Sequence, residues 1–291
     1  MEFGLYAINY GTCADPDSLV RVAQYAEAAG LDSLWAGEHI VLPSPQPRDY
    51  AIAPEIPFLD AVVALALAAA NTTSITVATG IIELPLHQPV LLAKQLASVD
   101  QISRGRLVVG IGVGYLASEF AALGVSLDER ATRTDEHLAA MRALWTMDAP
   151  EFHGRHVDFA GVDSHPRPVQ PGGPPIMIGG NSALARRRAI TTARGWIPAD
   201  FDLDATREAR RVLDHDLDEL ERPAALGSFD FTVISPTSRL DAELVDGYRE
   251  LGVDRLIVLP GLDVPTERRY HGVPIDDIFR TIDHVAARVD D

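Results

Sequence analysis

The stretch SITVATGIIELPLHQPVLLAKQLASVDQISRGRLVVGIG, Ser74 to Gly112, decides the fold class, because it contains a strand, a helix and a second strand in succession. Ser74–Gly80 is rich in β-branched residues, which favour strands. Pro89–Ser103 begins with proline, carries apolar residues at helical spacing and is followed by Gly105. Arg106–Gly112 is almost wholly apolar, which is typical of a strand covered on both faces. The stretch therefore predicts a βαβ unit with parallel strands.

The same alternation extends in both directions along the 291 residues. The other predicted strands are Phe3–Asn9, Ser33–Gly37, Pro175–Gly179, Trp196–Pro198, Ser228–Ile234 and Arg255–Leu259. The other predicted helices are Asp15–Gly30, Pro57–Asn71, Asp128–Met147, Ser182–Arg194, Leu203–Leu220, Leu240–Leu251 and Pro274–Val289. Strict βα order over this length favours an α/β fold, a single-domain (β/α)8 TIM barrel covering residues 1–291. An open doubly wound sheet is the alternative.

One segment interrupts the alternation of strands and helices. Residues 149–173 contain four prolines, four glycines and three histidines. We interpret this segment as an insertion after the fourth βα unit, with a possible hairpin at 151–159. The three histidines, His153, His156 and His165, lack the spacing of a convergent ligand set, so we expect no metal site.

Composition limits the classes of partner. The net charge of −17 argues against nucleic acid, whose phosphates need a basic face. The single cysteine, Cys13, excludes an intramolecular disulfide and a cysteine-based metal site. The longest apolar run, Ala61–Ala70, is too short to span a membrane. No secretory signal precedes the first strand, so we expect a cytoplasmic protein without membrane or nucleic-acid partners.

Catalytic residues of such barrels lie at the carboxyl ends of the strands. Glu38 and His39 follow the second predicted strand. His39 can act as an acid, a base or a hydrogen-bond donor near neutral pH, and Glu38 could orient it. The alternative interpretation is a strand-end histidine bonded to a neighbouring loop and a solvated carboxylate.

Two glycine-rich segments follow other strands. Gly179-Gly180-Asn181-Ser182 opens a helix that carries Arg186-Arg187-Arg188, an arrangement that suits a phosphate. The alternative is a tight βα turn followed by a solvated helix face. GIGVG, Gly110–Gly114, departs from the spacing of a dinucleotide loop, but it suits the close approach of a flat cofactor.

Three segments together resemble the luciferase-like oxidoreductase superfamily, and within it the branch that uses the deazaflavin coenzyme F420. They are WAGEHIVLP (35–43), the block from Thr79 to Phe120, and MIGGNSALARRRA (177–189). The resemblance implies a (β/α)8 barrel with the cofactor lying across the strand ends, and a homodimer. It also implies an oxidoreductase that moves a hydride between F420 and a small organic substrate.

The resemblance also implies roles for single residues. Glu38 and His39 would lie beside the ring, and a cis peptide bond at Thr79–Gly80 would back it. Gly112, Val113, Gly114 and Ser118 would follow the side chain of the cofactor. Gly179, Gly180 and Asn181 would hold its phosphate, with Arg186 or Arg187 near its glutamyl tail.

The chain departs from the family at one position. Tyr115 occupies the place of a glutamate that is catalytic in the sugar-phosphate dehydrogenases of this branch, so it is a donor to the substrate or a pocket residue. An FMN-dependent luciferase-like monooxygenase is the alternative function, and a non-catalytic cofactor-binding barrel is a third. The substrate is not readable from the sequence. We expect its pocket to be formed chiefly by residues 42–56 and 149–173.

Overall fold

Eight parallel strands close into a barrel in the computed structural model, which describes residues 1–47, 50, 52–199, 202–235, 240–261 and 272–289. Consecutive barrel strands are neighbours, and β1 pairs with β10 to complete the ring. The barrel strands are β1 (Glu2–Tyr6), β2 (Ser33–Ala36), β3 (Thr76–Glu83), β4 (Leu107–Gly112), β7 (Ile176–Gly179), β8 (Gly195–Ile197), β9 (Asp230–Ser235) and β10 (Arg255–Val258). The predicted fold class is confirmed.

Helices surround the strands on the outside. They are α1 (Pro16–Ala28), α2 (Ala61–Ala70), α3 (Pro89–Ser103), α4 (Ala117–Ala122), α5 (Arg130–Thr146), α6 (Ala183–Thr192), α7 (Leu203–Glu219), α8 (Ala242–Glu250) and α9 (Ile275–Ala286). Side chains of Asp15, Asp60, Ser182, Asp202 and Asp241 accept hydrogen bonds from amides in the first turn of the helix that each precedes. These caps define where the helices begin.

Two helices begin later than predicted, because the capping residue lies further along the chain. The helix predicted from Pro57 starts at Ala61, because Asp60 is its cap and accepts from the Val63 amide. The helix predicted from Leu240 starts at Ala242, behind the cap Asp241. The short helix α4 was not predicted.

The interior of the barrel has its own small apolar cluster. Trp35, Ala78, Met177, Ile197 and Ile257 are buried together there, one from each of five strands. The larger core lies between the strands and the helices.

The insertion runs over the outer helices. Its predicted hairpin is present as β5 (Phe152–His153) and β6 (Asp158–Phe159), paired antiparallel. The His156 amide donates to Glu136 of α5 at 2.7 Å. The buried Asp100 of α3 accepts from the amides of Val169 and Gln170. These bonds hold the insertion on α3 and α5, and its expected part in a substrate pocket stays a prediction.

Among the residues that the structure describes, no helix is long and apolar enough to cross a membrane.

Candidate active site at the carboxyl ends of the strands

The end of β3 is irregular. The register with β4 shifts between Thr79 and Ile82, as a β-bulge does. The peptide bond between Gly80 and Ile81 is cis, so the predicted position at Thr79–Gly80 was wrong by one residue. The Thr79 side chain is fully buried and donates to the Gly110 carbonyl at 2.7 Å, while the Tyr6 hydroxyl donates to the Gly80 carbonyl.

The glycines of the neighbouring strands make room for this bulge. A Cβ at Gly112 would lie 2.6 Å from Ile81 Cδ1, and one at Gly179 would lie 2.9 Å from Ile81 Cγ2. Side chains at either position would displace Ile81, because contacts below 3 Å do not occur at normal packing. Ile81 of the bulge therefore packs against both β4 and β7. Ile81, Gly112 and Gly179 together form a close-packed surface without a charged side chain, which we call the floor.

His39 lies beside this floor with its ring held from two sides. Its Nδ1 is 3.2 Å from Oε2 of Glu119, and its Nε2 is 3.0 Å from the Tyr50 hydroxyl. A carboxylate only accepts hydrogen bonds, so Nδ1 carries the proton and the lone pair of Nε2 accepts from the Tyr50 hydroxyl. The side chain is 10% exposed. This orientation is that of a general base whose tautomer a carboxylate fixes.

Glu119, which the sequence analysis did not single out, is the carboxylate that orients His39. It lies in α4 and is fully buried. Its Oε1 accepts from the amides of Ile40 and Val41 at 2.5 and 3.1 Å. Burial alone would raise the pKa of Glu119, but His39 and the two amides lower it below its usual range.

Glu38 faces away from His39. Its Oε2 accepts from the Glu83 amide at 2.7 Å, and both of its oxygens lie 3.0 Å from Nε2 of His87. Burial opposes protonation of His87, yet the bond to Glu38 raises the pKa of the imidazole. Glu38 thus fixes the start of the loop after β3, and its catalytic role remains a prediction.

A second carboxyl group lies next to the pair formed by His39 and Glu119. Oε1 of Glu83 is 3.9 Å from Nδ1 of His39, and Glu83 is 2% exposed. One oxygen of Glu83, one oxygen of Glu119 and one nitrogen of His39 all lie within 4.8 Å of one another. Burial, and then the charge of Glu119 and a hydrogen bond to it, raise the pKa of Glu83 far above its usual range.

Aromatic rings enclose the imidazole. The rings of Tyr50, Phe58 and Tyr115 lie edge-on to His39, with centroids 6.0–6.1 Å away. The Tyr115 hydroxyl is 3.4 Å from that of Tyr50, and Tyr115 is 62% exposed. Burial raises the pKa of both hydroxyls, so both are protonated donors at neutral pH. Tyr115 therefore lies exposed beside His39, and its contact with a substrate remains a prediction.

The remaining predicted residues lie at the start of α4 and α6. Val113 and Gly114 are half-buried after β4, and Ser118 is exposed in the first turn of α4. Gly180 has φ +107°, a conformation that favours glycine, and its carbonyl accepts from the Trp196 indole at 2.7 Å. The Asn181 side-chain oxygen accepts from the Ala199 amide.

The three arginines of this segment have different environments. Arg186 is paired with Asp216 at 2.5 Å, and the buried Arg188 is paired with Asp135 at 2.7 Å. Arg187 is exposed and makes no ion pair with any residue in the described ranges. Arg187 is therefore the arginine available to an anionic ligand.

The structure brings three of the predicted residues, His39, Gly112 and Gly179, next to the end of β3. Ile81 contacts Gly112 and Gly179, while Glu83, two residues further along β3, reaches His39. Glu119, Tyr50 and Phe58 were not predicted as site residues from the sequence. The sequence shows Glu119 only as an acidic residue in a segment after a strand, which is too general a signal to select it.

Comparison with known proteins gives a consistent family. The family model for luciferase-like monooxygenase matches residues 1–250. An uncharacterized protein of Mycobacterium tuberculosis is 30% identical over 281 residues, 93% of each chain. The FMNH(2)-dependent dimethylsulfone monooxygenase of Pseudomonas putida is 39% identical over 104 residues, which are 35% of this chain and 29% of that protein.

A solved structure shares the fold. The coenzyme F420-dependent tetrahydromethanopterin reductase of Methanopyrus kandleri superposes with a TM-score of 0.74 at 16% identity, over 99% of this chain and 98% of that one.

Proposed function

The chain belongs to the luciferase-like monooxygenase family, and from this premise we propose that it is an oxidoreductase that moves a hydride between coenzyme F420 and a small organic substrate. The observation that carries the proposal is His39, held by Glu119 and Tyr50 beside the β3 bulge. A base with a fixed tautomer next to a flat apolar floor suits a reaction in which hydride and proton leave one substrate together. The F420-dependent reductase with the same fold supports this choice.

The residues present fit such a cofactor. Gly112, Gly179 and Ile81 form a floor without charge, against which a planar ring would pack. We assign the phosphate to the Gly179–Asn181 turn, where α6 begins and its first amides carry partial positive charge. Arg187 is the exposed cation closest in sequence to that turn, and it suits an acidic tail. Gly114 and Ser118 would line the path between ring and phosphate.

His39 performs the proton step in this proposal. When bound, the deazaflavin supplies the carbon that accepts or releases the hydride. Nε2 of His39 takes the proton from a substrate hydroxyl as the hydride leaves its carbon, or returns it in the opposite direction. The Glu119 carboxylate stabilises the imidazolium that forms, because its Oε2 lies 3.2 Å from Nδ1. The substrate hydroxyl would displace the Tyr50 hydroxyl from Nε2, and Tyr50 and Tyr115 would then donate hydrogen bonds to the substrate oxygen.

A His39→Asn variant tests the proton step. We expect its turnover with F420 to fall by about 10²–10⁴-fold while its Kd for F420 stays within about threefold, because the base is lost but the floor is intact. His153→Asn is the matched control, since His153 is exposed on the insertion and pairs with Asp158. Unchanged turnover in His39→Asn, or no binding of F420 by the wild-type protein, contradicts the proposal.

An FMN-dependent monooxygenase is the second candidate, and the identity to the dimethylsulfone monooxygenase favours it. FMN also carries a planar ring and a phosphate, so the same residues would hold it. Fluorescence titration with F420 and with FMN, followed by oxygen uptake in the presence of reduced FMN, separates the two. Tighter binding of F420 without oxygen uptake supports the first proposal, and the reverse supports the second.

A further inference from the structure

Two buried carboxyl groups and one imidazole share a single small volume behind the proposed base. Glu119 is fully buried and Glu83 is 2% exposed. Among the described residues, the ion pairs of these two glutamates are with His39 alone, and no lysine or arginine compensates their charge. Two carboxylates so close together in a buried site cannot both be ionised, because their repulsion adds to the cost of burial.

The hydrogen bonds decide which glutamate keeps the charge. Glu119 accepts from two backbone amides and from His39, so its carboxylate is well stabilised. Glu83 has no comparable donors, and its Oε2 has no hydrogen-bond partner within the described part of the chain. An unpartnered carbonyl oxygen of a neutral acid costs much less than an unpartnered oxygen of a buried carboxylate.

We propose that Glu83 is a neutral carboxylic acid that shares its proton with the Glu119 carboxylate, and that it acts as a positioning residue for His39. The three groups then carry one negative charge when His39 is neutral and none when it is protonated. Protonation of His39 during turnover therefore leaves no uncompensated charge in the buried site. Glu83 acts through Glu119 and does not touch the substrate.

The surroundings of Glu83 agree with this assignment. The titratable groups that face it come from the loop after β2, from the loop before α4 and from α4 itself. They are Glu38, His39, Tyr50, Tyr115 and Glu119. Glu38 is bonded to His87 and to the Glu83 amide, so it adds negative charge near Glu83 and favours the neutral acid further.

Infrared spectroscopy of the protein without cofactor tests the proposal. We expect a C=O stretching band of a protonated carboxyl group at pH 7 that is absent from Glu83→Gln. The amide of glutamine keeps the volume and still donates to Glu119. Glu136→Gln is the matched control, because Glu136 accepts from backbone amides of the hairpin, which lower its pKa and keep it ionised. No loss of the band in Glu83→Gln overturns the proposal.

A pH titration of the wild-type protein keeps the test valid even if Glu83→Gln does not fold. Because the pKa of Glu83 is raised to about 9, the acid band should persist at pH 7 and disappear as the pH rises through that value. The ¹⁵N resonance of His39 should shift in the same range in the wild-type protein and not in Glu83→Gln. Disappearance of the band below pH 6 contradicts the neutral acid.

The alternative occupant of such a cluster is a divalent cation. Metal analysis of the purified protein should find no stoichiometric metal whose binding depends on Glu83. A stoichiometric metal that Glu83→Gln lacks overturns the proposal, because the metal would replace the shared proton. The role in turnover rests on the proposed function, but these measurements need no cofactor, so failure of one is distinguishable from failure of the other.

Discussion

The direction in which each acidic side chain points determines the chemistry at the rim. Glu38 and His39 are adjacent in sequence, yet successive side chains of an extended segment point to opposite sides. Glu38 therefore faces His87, and His39 faces Glu119, a residue 80 positions away. Sequence proximity predicted the pair Glu38–His39, and only the closed barrel reveals the pair Glu119–His39.

A single side chain, Glu27 of α1, holds the segment that leads into β3. Its Oε1 accepts from the amides of Thr73, Ser74 and Ile75 at 2.6–3.0 Å. Partial burial raises the pKa of this carboxyl, but the backbone amides outweigh it and lower the pKa to about 2. The carboxylate therefore stabilises the fold only while it is ionised.

Replacing Glu27 by Gln should remove this pH-dependent stability. A group whose folded pKa is lowered stabilises the fold above its unfolded pKa, and the effect is lost as the pH falls through the folded value. We expect Glu27→Gln to lower the free energy of unfolding by about 1–2 kcal/mol at pH 7. The difference should shrink between pH 4.5 and pH 2.

Urea unfolding of the wild-type protein and of Glu27→Gln at pH 7 and pH 3 measures the difference in their free energies of unfolding. Glu208→Gln is the control, because Glu208 is exposed and, among the described residues, bonds only to its helix neighbour Arg211. If the difference in the free energy of unfolding between the wild-type protein and Glu27→Gln is the same at pH 7 and pH 3, the stabilisation does not come from the charge of Glu27.

At the scale of elements, the β3 bulge depends on the absence of a side chain at Gly110 of β4. A Cβ at Gly110 would clash with the backbone carbonyl of Thr79, which cannot move without breaking the pairing of β3 and β4. The bulge in turn places Glu83 at the rim. The glycine spacing of β4 is therefore a requirement of packing, independent of the proposed cofactor.

Gly110→Ala should accordingly destabilise the protein by about 2–3 kcal/mol, because it forces the two strands apart. Gly124→Ala is the control. A Cβ there meets nothing within 4 Å, but its φ is +67°, so the change should cost only about 1 kcal/mol. Equilibrium unfolding in urea compares the two, and equal losses would show that the clash at Gly110 is relieved.

The sequence predicted the elements better than the site. All eight barrel strands were predicted, because buried parallel strands are short apolar runs between turn residues. The helix α4 was missed because Ala117–Ala122 is only six residues long and has no side-chain cap. Since Glu119 lies in that helix, the orienting carboxylate was missed with it. The cis bond that the resemblance implied at Thr79–Gly80 lies one residue further along, because β3 continues through the bulge to Glu83.

At the scale of the whole molecule, one buried side chain bridges the first and last strands. Arg255 of β10 pairs with Glu2 of β1 and with Asp230 of β9, the latter at 3.4 Å. Its guanidinium carbon also lies 5.6 Å from the centroid of the Trp35 ring in β2. Arg255 therefore links four adjacent strands, β2, β1, β10 and β9, where the pairing of the first and last strands closes the barrel.

Arg255→Met should therefore lower the free energy of unfolding by about 2–4 kcal/mol, because it leaves the largely buried Asp230 without its ion-pair partner. Arg249→Met is the control, since its pair with Asp246 is exposed and such pairs contribute less than about 1 kcal/mol. Chemical denaturation at pH 7 measures both. Similar losses in the two variants would mean that closure does not depend on Arg255.

The position of Trp196 gives the protein an intrinsic optical reporter. Its indole N–H donates to the Gly180 carbonyl at 2.7 Å, and the Arg186 guanidinium carbon lies 6.0 Å from the ring centroid. Trp35 inside the barrel and Trp145, bonded to the Ala93 carbonyl, lie elsewhere. An anion that settles at the Gly180 turn will therefore alter the emission of one fluorophore against a constant background, so ligand occupancy is measurable without any label.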